Sequence, residues 1–266
     1  MRETIRQWLE DGLVDLFVGY KAVDGLAIPW VFSKKALDDL DDFREGPYRY
    51  PLEKIAREIL QEDPHLRIGI LARQCTERAT TVLHALRAID QERIELLRTP
   101  CCASPMQTQV ICSGLDRGED LSRVPGEGIP KGKSFSVVDS MSAEERFSRW
   151  MYEFEKCIKC YGCRDICPVC VCRECTLQDE DLIKTGSLPV EVPLFHLVRA
   201  VHMAGRCVDC GLCEEACPAD IPLRTLYQKV GVLVRDLYGY VPGQDAIPLI
   251  WGPLSDAERE ALASGT

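Results

Sequence analysis

The chain has little histidine, four residues in 266, and no excess of positive charge, with 32 Lys and Arg against 42 Asp and Glu. A net charge of −10 excludes a broad phosphate-neutralising face, and with it a nucleic-acid partner. No apolar run approaches the roughly 18 residues that a membrane-crossing helix needs, so a direct span is excluded and any membrane contact would come through a partner. No secretory leader is visible, and the expectation is a cytoplasmic protein whose thiols stay reduced. A full dinucleotide-binding glycine fingerprint is missing. The stretch "EGIPKGKS" (Glu127–Ser134) falls short of a phosphate-binding loop, because Glu127 stands where the first Gly belongs and no strand precedes it. No Ser, His and Asp set stands out as a triad. His196 and His202 are six apart and share no helix face, which makes them packing or capping residues rather than ligands.

Cysteine is what the chain has in abundance, 15 residues. With a hydrophobic content of 46%, the length suits two domains with real cores. Residues 1–112 read as an α/β domain. "MRETIRQWLEDG" is an amphipathic helix, "LVDLFVGY" (Leu13–Tyr20) a buried strand, and "PLEKIAREILQED" (Pro51–Asp63) a helix opened by proline. "LRIGILA", "TERATTVLHALRAID" and "IELLRT" follow as strand, helix and strand, one parallel crossover unit. "KKALDDLDDFREG" (Lys34–Gly46) reads as a solvated helix. Residues 113–140 are rich in Gly and Pro and form a connector. "SAEERFSRWMYEFEK" then opens on a capping box, Ser142 with Glu145, and leads into the cysteine-rich part, residues 141–225. Residues 226–266 complete a C-terminal helix and a tail. The fold class expected is α+β: an N-terminal α/β domain with a short parallel sheet, then a bacterial-type dicluster ferredoxin domain.

That domain rests on two runs, "CIKCYGCRDICP" (Cys157, Cys160, Cys163, Cys167) and "CVDCGLCEEACP" (Cys207, Cys210, Cys213, Cys217). Both have the spacing C-x2-C-x2-C-x3-C-P of bacterial ferredoxins. Three thiolates at that spacing wrap a tight loop around one cubane face, and the fourth leaves at a helix start and reaches the neighbouring cluster. Cys157, Cys160, Cys163 and Cys217 are therefore expected to hold one 4Fe-4S cluster, and Cys207, Cys210, Cys213 and Cys167 the other. Paired zinc sites would not require the repeated x3-C-P ending. The first loop sums to +2 and the second to −2, which predicts the higher reduction potential at the first site.

Seven cysteines remain. Cys112 and Cys170 read as small buried hydrophobes. Cys75 falls just past the carboxyl end of one predicted parallel strand, and Cys101 and Cys102 just past the next, on the sheet edge where ligands bind. Cys172 and Cys175, in the crowded run "CPVCVCREC", could bring two more thiolates there.

The stretches "GILARQC", "RTPCC" and "VCRECTLQDEDLIKTG" resemble, in order, motifs of the F420-hydrogenase and formate dehydrogenase beta-subunit family. The ferredoxin half is similar to its dicluster electron-transfer members. The resemblance covers residues 60 to 240. It implies a third 4Fe-4S cluster, or a zinc ion, on Cys75, Cys101, Cys172 and Cys175, with Cys102 able to replace Cys101. FAD or F420 is not expected, because Thr76 stands where the family motif has Asp. The implied role is an iron–sulfur electron-transfer subunit of a formate dehydrogenase, hydrogenase or heterodisulfide reductase type complex, not catalytic alone. Its partners would be catalytic and electron-carrier subunits. The rival readings are a beta subunit that itself binds FAD or F420, and a thiol or metal redox sensor.

Overall fold

A computed structural model describes residues 1–46, 48–100, 138, 140–181 and 192–244. Cys101, Cys102, Cys112, the Glu127–Ser134 stretch and the tail beyond residue 244 lie outside the described residues.

The chain opens with helix α1 (Arg2–Glu10), which buries Ile5 and Leu9. Strands β1 (Leu16–Val23) and β2 (Leu26–Ser33) pair antiparallel across Asp24-Gly25. Both turn residues have positive φ, 51° and 80°, the geometry that two-residue hairpins demand and that Gly25 adopts without strain. A 3-10 segment, Lys34–Asp42, follows in place of the expected solvated helix and turns Leu40 into the core. Helix α2 (Leu52–Glu62), strand β3 (Ile68–Ala72), helix α3 (Gln74–Ala85) and strand β4 (Ile94–Arg98) then build the expected strand–helix–strand unit. The sheet order is β2-β1-β3-β4. Only β1–β3 and β3–β4 pair parallel, so the sheet is mixed, with the hairpin added at one edge.

Helix α4 (Ala143–Glu155) starts at the capping box foreseen from its sequence. Glu145 N–H donates to Ser142 Oγ at 3.2 Å, and Ser142 N–H to Glu145 Oε2 at 2.7 Å. Helices α5 (Val192–Met203) and α6 (Leu223–Tyr238) complete the second half. Two cores result. The first fills the space around the sheet, with Phe17, Phe32, Ile68 and Ile70 fully buried. The second surrounds the cysteine loops with Phe154, Phe195, Ile221 and Tyr227. Helix α3 is shared between them: Leu83 packs into the first core, Ala79 and Val82 into the second. The crowded cysteine run divides the same way, Val169 entering the second core and Val171 packing against the first.

One buried acid makes the α/β half sensitive to pH. Burial pushes the Glu53 carboxyl up to about 8, and the nearby Arg73 and Lys54 charges offset only part of that. The folded chain therefore holds this proton more tightly than the unfolded chain. Its contribution to stability is complete below the ordinary value of 4.5 and is lost as pH rises through about 8. The expected result is an unfolding free energy, measured by denaturant titration, that falls between pH 6 and pH 8 by up to about 1.4 kcal/mol per pH unit. Glu53→Gln should remove that slope, and equal slopes in both proteins would contradict the assignment.

Candidate metal centres

The two cysteine loops share one backbone plan. Each has a left-handed residue directly before its second cysteine and another directly after it: Lys159 and Tyr161 in the first, Asp209 and Gly211 in the second. These positions curl the loop so that amide N–H groups point inward. Lys159 N–H donates to Cys157 Sγ at 3.4 Å, and the Asp209 and Leu212 amides do the same for the thiols of Cys207 and Cys210. A one-turn helix follows in each, Gly162–Asp165 and Leu212–Glu215. Gly211 takes φ 78° freely. Tyr161 adopts φ 59° at some cost, held by its hydroxyl on the Leu177 carbonyl at 2.8 Å and by its ring against Phe195.

The fourth cysteine of each run leaves its own loop. One cavity is lined by Cys157, Cys160 and Cys163 together with Cys217, and another by Cys207, Cys210 and Cys213 together with Cys167. The electrostatics follow the same grouping. Burial pushes the Cys163 thiol up to about 11, with Cys157, Cys217 and Cys160 adding to it. Burial likewise pushes Cys207 up to about 12, with Asp209 and Cys167 among its neighbours. Cys210 and Cys213 rise well above the ordinary thiol range by burial and by repulsion from the others of their group. Without metal these thiols hold their protons, so loading releases protons and is favoured by higher pH.

Among the described residues no group of three His, Cys, Asp or Glu side chains closes on a position for a single metal ion. Four thiols spread around a void, with amides aimed at the sulfurs, fit a cubane better than one zinc ion, which draws its ligands to about 2.3 Å.

The α/β half grips both loops. Lys54 donates to the Asp165 carbonyl at 2.5 Å, Arg78 to the Val208 carbonyl at 3.0 Å, and Arg49 to the Cys210 carbonyl and the Glu215 carboxylate. Within the second half, Arg224 forms a buried two-pronged pair with Asp209 at 2.6 and 3.0 Å, and Gln228 adds a third donor to the same carboxylate. Glu214 accepts the Arg224 amide at 3.1 Å. Arg49, Arg78 and Arg224 thus set positive charge against the acidic second loop from positions far along the chain.

Arg199 and Tyr227 line the second cavity and also neighbour Cys163 of the first loop. Arg199, 2% exposed, donates from Nη2 to the Cys163 carbonyl at 2.8 Å and from Nη1 to Cys170 Sγ at 3.8 Å. Tyr227 is buried beside Cys213, Cys163 and Cys167, which together with burial raise its phenol well above the usual range. Local sequence singled out neither residue. His196 stacks on Phe154 at 4.4 Å, and burial lowers it to about 4, so it packs as a neutral ring. Cys75 sits at the start of α3 on the Cys210 side. Cys172 and Cys175 line a different, cationic cavity, with Cys175 beside Arg164.

A family model described as a 4Fe-4S binding domain matches residues 200–222. The chain is 41% identical over 132 residues to the F420-dependent formate dehydrogenase subunit beta of Methanocaldococcus jannaschii, covering 49% of this chain and 34% of that one. It is 48% identical over 105 residues to the F420-dependent formate dehydrogenase 1 subunit beta of Methanococcus maripaludis, covering 38% and 27%. The matched part thus spans about a third or less of these relatives' length. The second cysteine loop thus lies in a segment that matches the 4Fe-4S ferredoxin class. More narrowly, over up to about half of its length the chain is similar to these two formate dehydrogenase beta subunits. Among the described residues no helix is long and apolar enough to cross a membrane.

Proposed function

We propose that this chain is the electron-transfer subunit of an oxidoreductase complex. Cys157, Cys160, Cys163 and Cys217 would hold one 4Fe-4S cluster, and Cys207, Cys210, Cys213 and Cys167 a second. The observation that carries the reading is the exchange of fourth cysteines between the two cavities. A 4Fe-4S cluster supplies a carrier for single electrons. The chain's own residues supply the rest. The loop amides donate to the thiolate sulfurs and favour their charged form. Arg199, beside both groups of thiols, offsets the negative charge that ligation creates. The second core buries Cys167 and half-buries Cys207 and Cys213, while Cys160 remains exposed and gives the first site an approach from outside.

The relatives' names support a formate dehydrogenase type complex as the setting. Catalytic and electron-carrier subunits would be the partners. The experiment is anaerobic purification of the full chain. Iron and acid-labile sulfide without flavin, together with one-electron reduction of a viologen dye by the prereduced chain, is the expected result. A flavin spectrum, with F420 reduced by this chain alone, would overturn it in favour of a catalytic beta subunit.

A further inference from the structure

A cavity of about 250 Å³ lies outside the two cysteine cages. It opens between α2, the crowded cysteine run and α5, and its wall carries six cations: Lys54, Arg57, Arg164, Arg173, Arg199 and Arg206. Only two acids, Glu58 and Asp165, face them, and Asp165 is already engaged by Arg164 Nε at 2.7 Å. In a chain of net charge −10 this is a local reversal of sign. Individual donor nitrogens of three of these guanidinium groups lack partners. Nε and Nη1 of Arg57, Nη1 of Arg164 and Nε of Arg199 are buried without a hydrogen-bond partner among the described residues. Leaving buried charged donors unpaired is costly, and the ordinary remedy is an anion that accepts from several of them together.

We propose that this cavity binds the phosphate group of a small molecule. Donors converge from α2, the first loop, the cysteine run and α5 with the turn after it, which suits a tetrahedral oxyanion with several acceptor oxygens better than a planar carboxylate. The volume lies near the lower end for small-molecule sites, enough for a phosphate with a short organic group attached. The site is distinct from the two cages and draws on none of their eight cysteines except through Arg199, which spans both.

The test is calorimetric titration of inorganic phosphate into the anaerobically purified full chain, at constant ionic strength set with chloride. The wild-type chain should bind. Arg57→Gln should weaken binding about tenfold or more at unchanged iron content, Arg57→Lys should recover part of it, and Arg2→Gln, on the exposed face of α1, should change nothing. Glycerol 3-phosphate in a second arm assigns the source: tighter than phosphate means an esterified ligand, equal or weaker means the free ion. No binding to the wild type, or equal weakening by Arg57→Gln and Arg2→Gln, overturns the proposal. So does a preparation with about twelve irons that ignores phosphate, because the cations would then neutralise a third cluster on the neighbouring Cys172 and Cys175.

Discussion

Cys217→Ala should remove the cluster of the first loop, fifty residues upstream, and leave that of its own loop in place. The four side chains around one cavity are Cys157, Cys160, Cys163 and Cys217. Losing any one leaves a cubane with an open iron and a thiol cage that no longer closes. Iron should fall from about eight to about four per chain. Pairs of substitutions decide which four. Cys160→Ala combined with Cys217→Ala removes two ligands of one site and should still leave about four irons, the strong non-additivity expected of residues that act as a unit. Cys210→Ala combined with Cys217→Ala touches both sites and should leave almost none. If each run instead closed on its own fourth cysteine, these two double variants would exchange results. Cys167→Ala provides the mirror experiment, since it lines the cavity of Cys207, Cys210 and Cys213.

Arg199→Leu should lower both reduction potentials. The guanidinium is 2% exposed and its electrostatic neighbours include Cys163 of one site and Cys167 of the other. A buried positive charge favours the reduced, more negative form of a nearby centre. At an effective dielectric near 20 and several ångströms, one unit charge contributes roughly 2–3 kcal/mol. For one electron that corresponds to a shift on the order of 100 mV. Arg199→Lys, which keeps the charge but loses the donor to the Cys163 carbonyl, should shift the potentials much less. A potentiometric titration followed by EPR separates the cases. Unchanged potentials in Arg199→Leu with full iron content would assign the residue a purely structural role.

Much of this organisation is written locally in the chain. The crossover unit β3-α3-β4 follows from apolar runs of strand length flanking a helical period. The α4 start follows from Ser142 and Glu145, and the two cysteine loops follow from their spacing. Strand β2 was missed for a physical reason: Pro29 sits inside "LAIPWVFS", and proline cannot donate to a sheet ladder. Its position on the edge of the sheet, opposite Tyr20, makes that tolerable. The turn "VDGL" carried the signal that could have found it, since Asp-Gly between apolar runs favours a two-residue hairpin. The cationic surroundings of the second loop were illegible because they are assembled from remote segments. Arg49 and Arg78 arrive from the α/β half, and Arg224 from the helix beyond the loop. The same holds for the cationic cavity, whose donors come from α2, the first loop, the cysteine run and α5 with the turn after it.

The crowded run "CPVCVCREC" shows both limits at once. Cys167 was assigned from spacing alone and lines the cavity of the opposite loop. Cys172 and Cys175 face the cationic cavity, while Cys75 lies on the Cys210 side.

The central claim is that two clusters sit side by side in one chain, each closed by a cysteine from the other's run. EPR of the fully reduced, anaerobically purified chain, with iron and sulfide counted on the same sample, measures it most directly. The account predicts about eight irons of cubane type in the two cages and two spins per chain, with lines broadened by their mutual interaction. A single unbroadened spin with about four irons, or stoichiometric zinc in place of iron, would contradict it.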